Sequence, residues 1–325
     1  MNQSITSTLG IDISKKKFDV ALHLPSGKWK HKAFTNNREG FQKLTHWLNQ
    51  LDVEQTHACM EATNVYGNAL AEYLYDQNHK VSVVNPTRIK GFAQSELLRI
   101  KNDKQDAALI ARFCESLLPD LWQPEPLSTR QLKAMVRRLD MLIDMRQQEV
   151  NRLDVSDEVV QGDIHQHIKE LEQRINNIRG EIEDHINLDP DLKRKKKLLL
   201  SIPGIGAKTM ATVLSYFSAI HKFASAKKLA SFCGVAPREY QSGTSIKGRG
   251  PMSKIGSAHL RKSLFLPAMV ALKYNPALKG LKERLSKKGK TKMVIIGAAM
   301  RKLIHIIYGV LKSNEPFDKN KVFNA

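Results

Sequence analysis

Four acidic residues in the first third of the chain have the types and spacing that could do chemistry. Asp12 lies inside the apolar run Leu9-Gly10-Ile11-Asp12-Ile13, where burying a carboxylate is costly unless something compensates it. Glu61 ends a second run, Cys59-Met60-Glu61. Asp103 and Asp106 stand three apart at the start of a helical stretch, so they share one helix face. Either alone is explained by the preference for acids in a helix's first turn, and Asp103 could simply cap that helix. Together, two strand acids and a helical pair can converge at one end of a sheet. Crowded carboxylates repel, and a hard divalent cation, Mg²⁺ or Mn²⁺, relieves the repulsion. Two such ions about 4 Å apart orient and polarise a phosphodiester. A competing reading of Gly10-Ile11-Asp12 is the phosphate-loop strand of an actin- or sugar-kinase-like ATPase. The sequence shows neither the second acidic-glycine loop nor the adenosine loop of those folds, and it is short for them.

The last third carries a different set. Ile202-Pro203-Gly204-Ile205-Gly206 precedes a helix that starts near Lys208. Two glycines there let a tight turn present backbone N–H groups to a phosphate, as in helix-hairpin-helix modules that grip DNA without reading its sequence. The alternative is a plain turn between two core helices. Further on, the stretch from Gly234 to Lys262 reads as a basic, Ser/Thr-rich loop leading into a helix. Ser242 precedes a glycine among cations, and Lys247, Arg249, Lys254, Arg261 and Lys262 are candidates for phosphate contacts. A serine in such a loop is usually only a turn residue. As a nucleophile at phosphorus it needs activation, and neighbouring cations would stabilise the developing charge.

The elements that must position these residues divide the chain in three. Residues 1–126 read as three strands with short turns, a helix over 38–50, a strand at His57–Glu61, a helix over 65–77, a strand at Lys80–Val84 and helices near 87–96 and 103–117. That order predicts an α/β layer fold. Residues 127–190 read as almost wholly helical. Val160, Ile164, Ile168, Leu171, Ile175, Ile178 and Ile182 repeat at threes and fours, an a/d seam broken upstream by the stretch 154–163. An antiparallel hairpin and a self-associating coiled coil both fit, as a dimerisation arm or as a spacer. Residues 191–325 open on a five-residue basic run at Lys193–Lys197 and read as mainly helical, interrupted at 241–251.

Composition narrows the partner. The chain has 325 residues with ordinary hydrophobic and charged fractions, which predicts a folded protein of about two domains. No apolar run approaches the ~18–20 residues of a membrane span, and the polar N-terminus lacks a secretory signal pattern. Three isolated cysteines make no disulfide framework, so a reducing cytoplasmic setting is expected. The net charge is +20, distributed unevenly: residues 1–190 carry 24 basic and 27 acidic side chains, residues 191–325 carry 28 and 5. A surplus so concentrated predicts a polyanion partner, and nucleic acid leads.

Six ordered motifs resemble one family. Gly10-Ile-Asp12-Ile-Ser-Lys, Met60-Glu61-Ala-Thr, Lys101-Asn-Asp103-Lys-Gln-Asp106-Ala, Ile202-Pro-Gly-Ile-Gly206, Pro237-Arg-Glu-Tyr-Gln-Ser242-Gly and His259-Leu-Arg-Lys262 are similar to the DEDD transposases of the insertion sequence one-ten family, relatives of the Piv-type DNA invertases. The resemblance spans about residues 7–318. It implies a RuvC-like, ribonuclease-H-like first domain with Asp12, Glu61, Asp103 and Asp106 as metal ligands. It also implies a C-terminal transposase domain with Ser242 as nucleophile. The family's enzymes exchange DNA strands, with donor and target DNA paired to a structured guide RNA. They work as homo-oligomers whose composite sites draw on different protomers. They act in the bacterial cytoplasm, at the nucleoid. One departure is Gln241, where many relatives carry a first serine; Ser245 is the less natural substitute for Ser242.

The reading is therefore a DNA recombinase of a mobile element, with Mg²⁺ or Mn²⁺ at the acidic quartet, Ser242 forming a protein–DNA ester, and the turn at Gly204, Gly206 and Lys208 gripping a backbone. Two alternatives stay open: a metal-dependent junction nuclease that never rejoins, and a non-catalytic nucleic-acid-binding protein.

Overall fold

The computed structural model describes residues 7–62, 66–96, 102–217, 219–242 and 246–320, with only the backbone for 239–242 and 246–249. The chain forms two compact units, Met1–Glu125 and Pro126–Ala325.

The first unit is a mixed α/β layer structure. Its strands are β1 (Ser7–Ile13), β2 (Lys17–His23), β3 (Trp29–Thr35), β4 (Thr56–Glu61) and β5 (Lys80–Val84). They form one sheet in the order β3-β2-β1-β4-β5. β1 runs antiparallel to β2 and parallel to β4, β2 antiparallel to β3, and β4 parallel to β5. The helices are α1 (Arg38–Asn49), α2 (Asn68–Asp76), α3 (Pro86–Ser95) and α4 (Asp103–Leu117). Strand alternation decides what each face carries. Leu9, Ile11, Phe18, Val20 and Leu22 are buried in one apolar cluster with Phe41, Leu44 and Leu48 of α1 and Leu70 and Leu74 of α2. The other side of β1 offers Thr8, Gly10 and Asp12, and α4 packs across it.

Gly10 is where that packing is tightest. A Cβ at this position would lie 2.0 Å from the Ala107 carbonyl oxygen and 2.3 Å from the Ala111 nitrogen. The helix backbone therefore rests directly on the strand backbone, with alanines at the contact. Asp103, one turn ahead of Ala107 on the same stripe, is carried toward the carboxyl end of β1.

The second unit is mostly helical. α5 (Leu127–Leu153) and α6 (Glu158–Leu188) make an antiparallel hairpin, and α7 (Pro190–Leu200), α8 (Ala207–Phe217), α9 (Ala226–Phe232), α10 (Ala258–Tyr274), α11 (Pro276–Lys287) and α12 (Lys292–Ser313) follow. Asp157 caps α6, and Asp189 caps α7 with Pro190 in its first turn, as expected of start signals. Of the alternatives for the seam, this chain realises the intrachain hairpin: Leu132, Val136, Leu139 and Leu142 share a core with Leu171, Ile175, Ile182 and Ile186. That core continues without a break through α7–α12 to Leu311.

Two expectations are corrected. The stretch expected as a loop is a two-stranded hairpin, β6 (Pro237–Ser242) and β7 (Ile246–Met252). Glycines and cations at 247–250 hide its strand character. And α12 is long and apolar enough to cross a membrane by length and composition, despite Gly297 in its apolar stretch. Most of that window is buried in the second unit, against α7, α9, α10 and α11.

Gly10→Ala forces the α4 and β1 backbones apart. It should cost about 1–3 kcal/mol, the usual range for overpacking, read as a lowered Tm in thermal unfolding of the full chain; an unchanged Tm would contradict this contact.

Candidate functional site

The acidic residues gather where β1 and β4 end. Ile11 pairs with Met60 across the parallel strands, so the next residues, Asp12 and Glu61, lie level on neighbouring strands. α4 brings Asp103 and Asp106 in its first turn. Asp103 is not the cap. Asn102 is, its side chain accepting the Gln105 N–H at 2.9 Å. That leaves the Asp103 carboxylate available for the sheet.

A fifth acid belongs to the group. Asp19 sits directly opposite Asp12 in the β1–β2 register, and like charges in that position repel. The signal was present in the sequence: Asp12 and Asp19 are symmetric about the turn Ser14–Lys17, closed by the Ser14 N–H to the Lys17 carbonyl at 2.9 Å. The electrostatics report the crowding. The Asp12 carboxyl is pushed up to about 6, first by burial and then by the charges of Asp106, Asp103, Asp19 and Glu61. One cation is built in. The Lys17 ammonium lies 2.8 Å from Asp103 Oδ2 and 3.0 Å from Asp19 Oδ2, and it holds the Asp103 carboxyl below its ordinary range.

These residues fit a hard divalent cation in donor chemistry, since all are carboxylate oxygens, and in charge, since five acids stand together beside Lys17. Among the described residues, no three acidic, histidine or cysteine side chains already stand together as a ligand set.

The second unit places the other candidates. Ser242 closes the β6–β7 pairing opposite Ile246; Lys247 pairs with Gln241 and Arg249 with Glu239. The side chains of Ser242, Lys247 and Arg249 lie outside the described portion, as does the whole of Ser245. At the turn between α7 and α8 the two glycines differ. Gly204 has φ +104°, and a Cβ there would meet the Ala271 Cβ of α10 at 2.7 Å. Its lack of a side chain thus serves both the turn and the packing of α10. Gly206 is exposed, with open space where a Cβ would be. Lys208 pairs with Asp140 of α5 at 2.8 Å. The other oxygen of Asp140 meets His259 Nε2 at 2.7 Å. Burial disfavours the Asp140 charge, but these partners outweigh it and hold the carboxyl below its ordinary range. Lys262 pairs with Asp144 at 3.2 Å, and Arg261 donates to the Lys254 carbonyl at 3.0 Å. Lys254 is exposed. The acidic partners on α5 were not foreseen, because ion pairs between segments so distant in the chain leave no local pattern.

Comparison with known proteins follows the same division. Residues 9–155 match the DEDD transposase model of the IS110 group, and residues 196–283 match the model described as Transposase IS116/IS110/IS902 family. Along 314 residues the chain is 38% identical to the pilin gene-inverting protein of Moraxella bovis, covering 96% of this chain and 97% of that one. The Moraxella lacunata protein of the same name matches equally. The transposase for insertion sequence element IS1328 of Yersinia enterocolitica is 23% identical over 294 residues, 81% of this chain and 83% of that protein.

Neutralising one crowded acid should stabilise the fold. Asp12 has a folded pKa above its ordinary 3.8, so the folded state holds its proton more tightly and loses stability as pH rises from about 4 through about 6. In EDTA at pH 7.5, Asp12→Asn should gain roughly 1–2 kcal/mol by urea unfolding, part of the value a two-unit shift allows. The gain should vanish near pH 4. A variant less stable than wild type at pH 7.5 would contradict the crowding.

Proposed function

This chain belongs to the IS116/IS110/IS902 family of transposases and DNA invertases, enzymes that cut and rejoin DNA, and from that premise we propose that it moves a mobile element by metal-assisted, serine-mediated strand exchange. The observation that carries the reading is the placement of the acids: Asp12 and Glu61 lie level at the carboxyl ends of the parallel strands β1 and β4, Asp19 lies opposite Asp12 on β2, and the first turn of α4 brings Asp103 and Asp106. The strand order, with only β2 antiparallel to the rest, supports a RuvC-like, ribonuclease-H-like first domain.

Asp12, Glu61, Asp103 and Asp106 would hold Mg²⁺ or Mn²⁺, which supplies Lewis-acid polarisation of the phosphodiester when bound. Ser242 is the proposed nucleophile. Its hydroxyl proton leaves as the new P–O bond forms. The bond from phosphorus to the departing deoxyribose oxygen breaks, and that oxygen takes up a proton. The linkage is kept as a serine–DNA diester. Attack by a second DNA hydroxyl then rejoins strands and returns the serine, so no ATP is needed. Gly206 offers an open helix N-terminus to a backbone phosphate. Lys247, Arg249, Lys254 and Arg261 are proposed phosphate contacts; Lys208 and Lys262 would exchange their α5 carboxylates for phosphate. The basic excess of residues 191–325 supports binding of both DNA and a structured guide RNA, and the enzyme is proposed to act as a homo-oligomer.

A trapping assay tests this. The full chain, with any co-purifying RNA and Mg²⁺, is incubated with a nicked substrate carrying the element's circle junction and resolved on denaturing gels. Wild type should leave a protein–DNA adduct that Ser242→Ala and Asp12→Ala each reduce by a factor of about 10³ or more, the scale of losing a nucleophile or its metal. Cleavage without an adduct, unchanged in Ser242→Ala, would replace this reading with that of a metal-dependent nuclease.

A further inference from the structure

We propose that Lys17 is a built-in counter-cation of the acidic centre, a positioning residue that holds Asp103 in the metal-free enzyme and surrenders it when a divalent cation enters. The inference rests on the divalent-metal reading of that centre.

Three observations support it. The lysine is fixed at its root. It opens β2 immediately after the turn, where its carbonyl accepts both the Ser14 N–H at 2.9 Å and the Ser14 hydroxyl at 2.8 Å, and its neighbour Phe18 is fully buried. Its ammonium spans two elements, reaching Asp19 on its own strand at 3.0 Å and Asp103 on α4 at 2.8 Å. It thus stands beside a proposed metal ligand and beside the acid opposite Asp12.

The pairing is also breakable. The Lys17 and Asp103 side chains are 51% and 56% exposed, and ion pairs open to water are weak. A doubly charged ion in reach of several carboxylates gains more than one ammonium does, because each added carboxylate contributes to its binding. Metal entry would then displace Nζ from Asp103 while Asp19 keeps the lysine nearby. The device does two things. It lowers repulsion among five acids before metal binds, and it weakens metal affinity, because the ion must compete with a charge already present.

The test measures Mn²⁺ binding to the full-length protein by isothermal titration and Mn²⁺-dependent Tm, without DNA. Lys17→Met should bind Mn²⁺ about three- to tenfold more tightly, the scale of releasing an exposed competing charge. In EDTA its Tm should fall below that of wild type, so its Tm rise on adding Mn²⁺ is larger. Lys17→Gln should behave like Lys17→Met, which guards against a folding defect peculiar to methionine. Lys17→Arg should restore wild-type affinity. Wild-type binding that is unchanged or weakened in both neutral variants overturns the role of Lys17 and leaves the metal reading standing. A wild-type protein that binds no Mn²⁺ overturns both.

Discussion

The acidic centre depends on one contact, the backbone-to-backbone approach of α4 to β1 at Gly10. A side chain at that position would collide with the Ala107 carbonyl. Because the helix lies so close, its first turn reaches the end of the strand and brings Asp103 and Asp106 to Asp12. The parallel β1–β4 register then sets Glu61 level with Asp12, and the antiparallel β1–β2 register sets Asp19 opposite it. Moving α4 outward by the width of a methyl group would separate the helical acids from the strand acids. The two ends of α4 are also tied to β2, by Lys17 to Asp103 and by His23 to Glu115 at 3.0 Å.

The same electrostatic problem is met in opposite senses by the two units. The first concentrates like-charged carboxylates and relieves them partly with one lysine. The second has a cationic surplus and relieves it partly with carboxylates on α5, where Asp140 serves Lys208 and His259 and Asp144 serves Lys262. In each case the local partner stands where the proposed external one would act, a metal ion in the first unit and a phosphate in the second. The exposed pairs, Lys17 with Asp103 and Lys262 with Asp144, are weak enough to exchange.

Much of this was legible in the sequence where periodicity speaks. Alternating strands and the amphipathic faces of α1, α5 and α6 lie close to their expected positions, because each buries one side against a core. The acids of β1 and β4 stood out because a carboxylate in an apolar run is anomalous, and those of α4 because their spacing puts them on one helix face. What was hidden arises from contacts between distant segments. Asp19 became visible only with the hairpin register. The cap function passed from Asp103 to Asn102 because asparagine's short side chain already reaches the Gln105 N–H. Gly204 belonged in part to the packing of α10 at Ala271. The β6–β7 hairpin carries too much glycine and charge to resemble a strand.

The most direct test of this account is to map the metal centre chemically. Fe²⁺ replaces the divalent cation in the full-length enzyme, peroxide and ascorbate are added, and mass spectrometry locates the peptide bonds cut by radicals released at the ion. The account predicts cuts clustered at four separated places, around residues 12, 19, 61 and 103–106, suppressed by excess Mg²⁺ and lost in Asp12→Asn. Cuts confined to other segments, or scattered cuts indifferent to Mg²⁺, would contradict a single acidic centre assembled beneath α4.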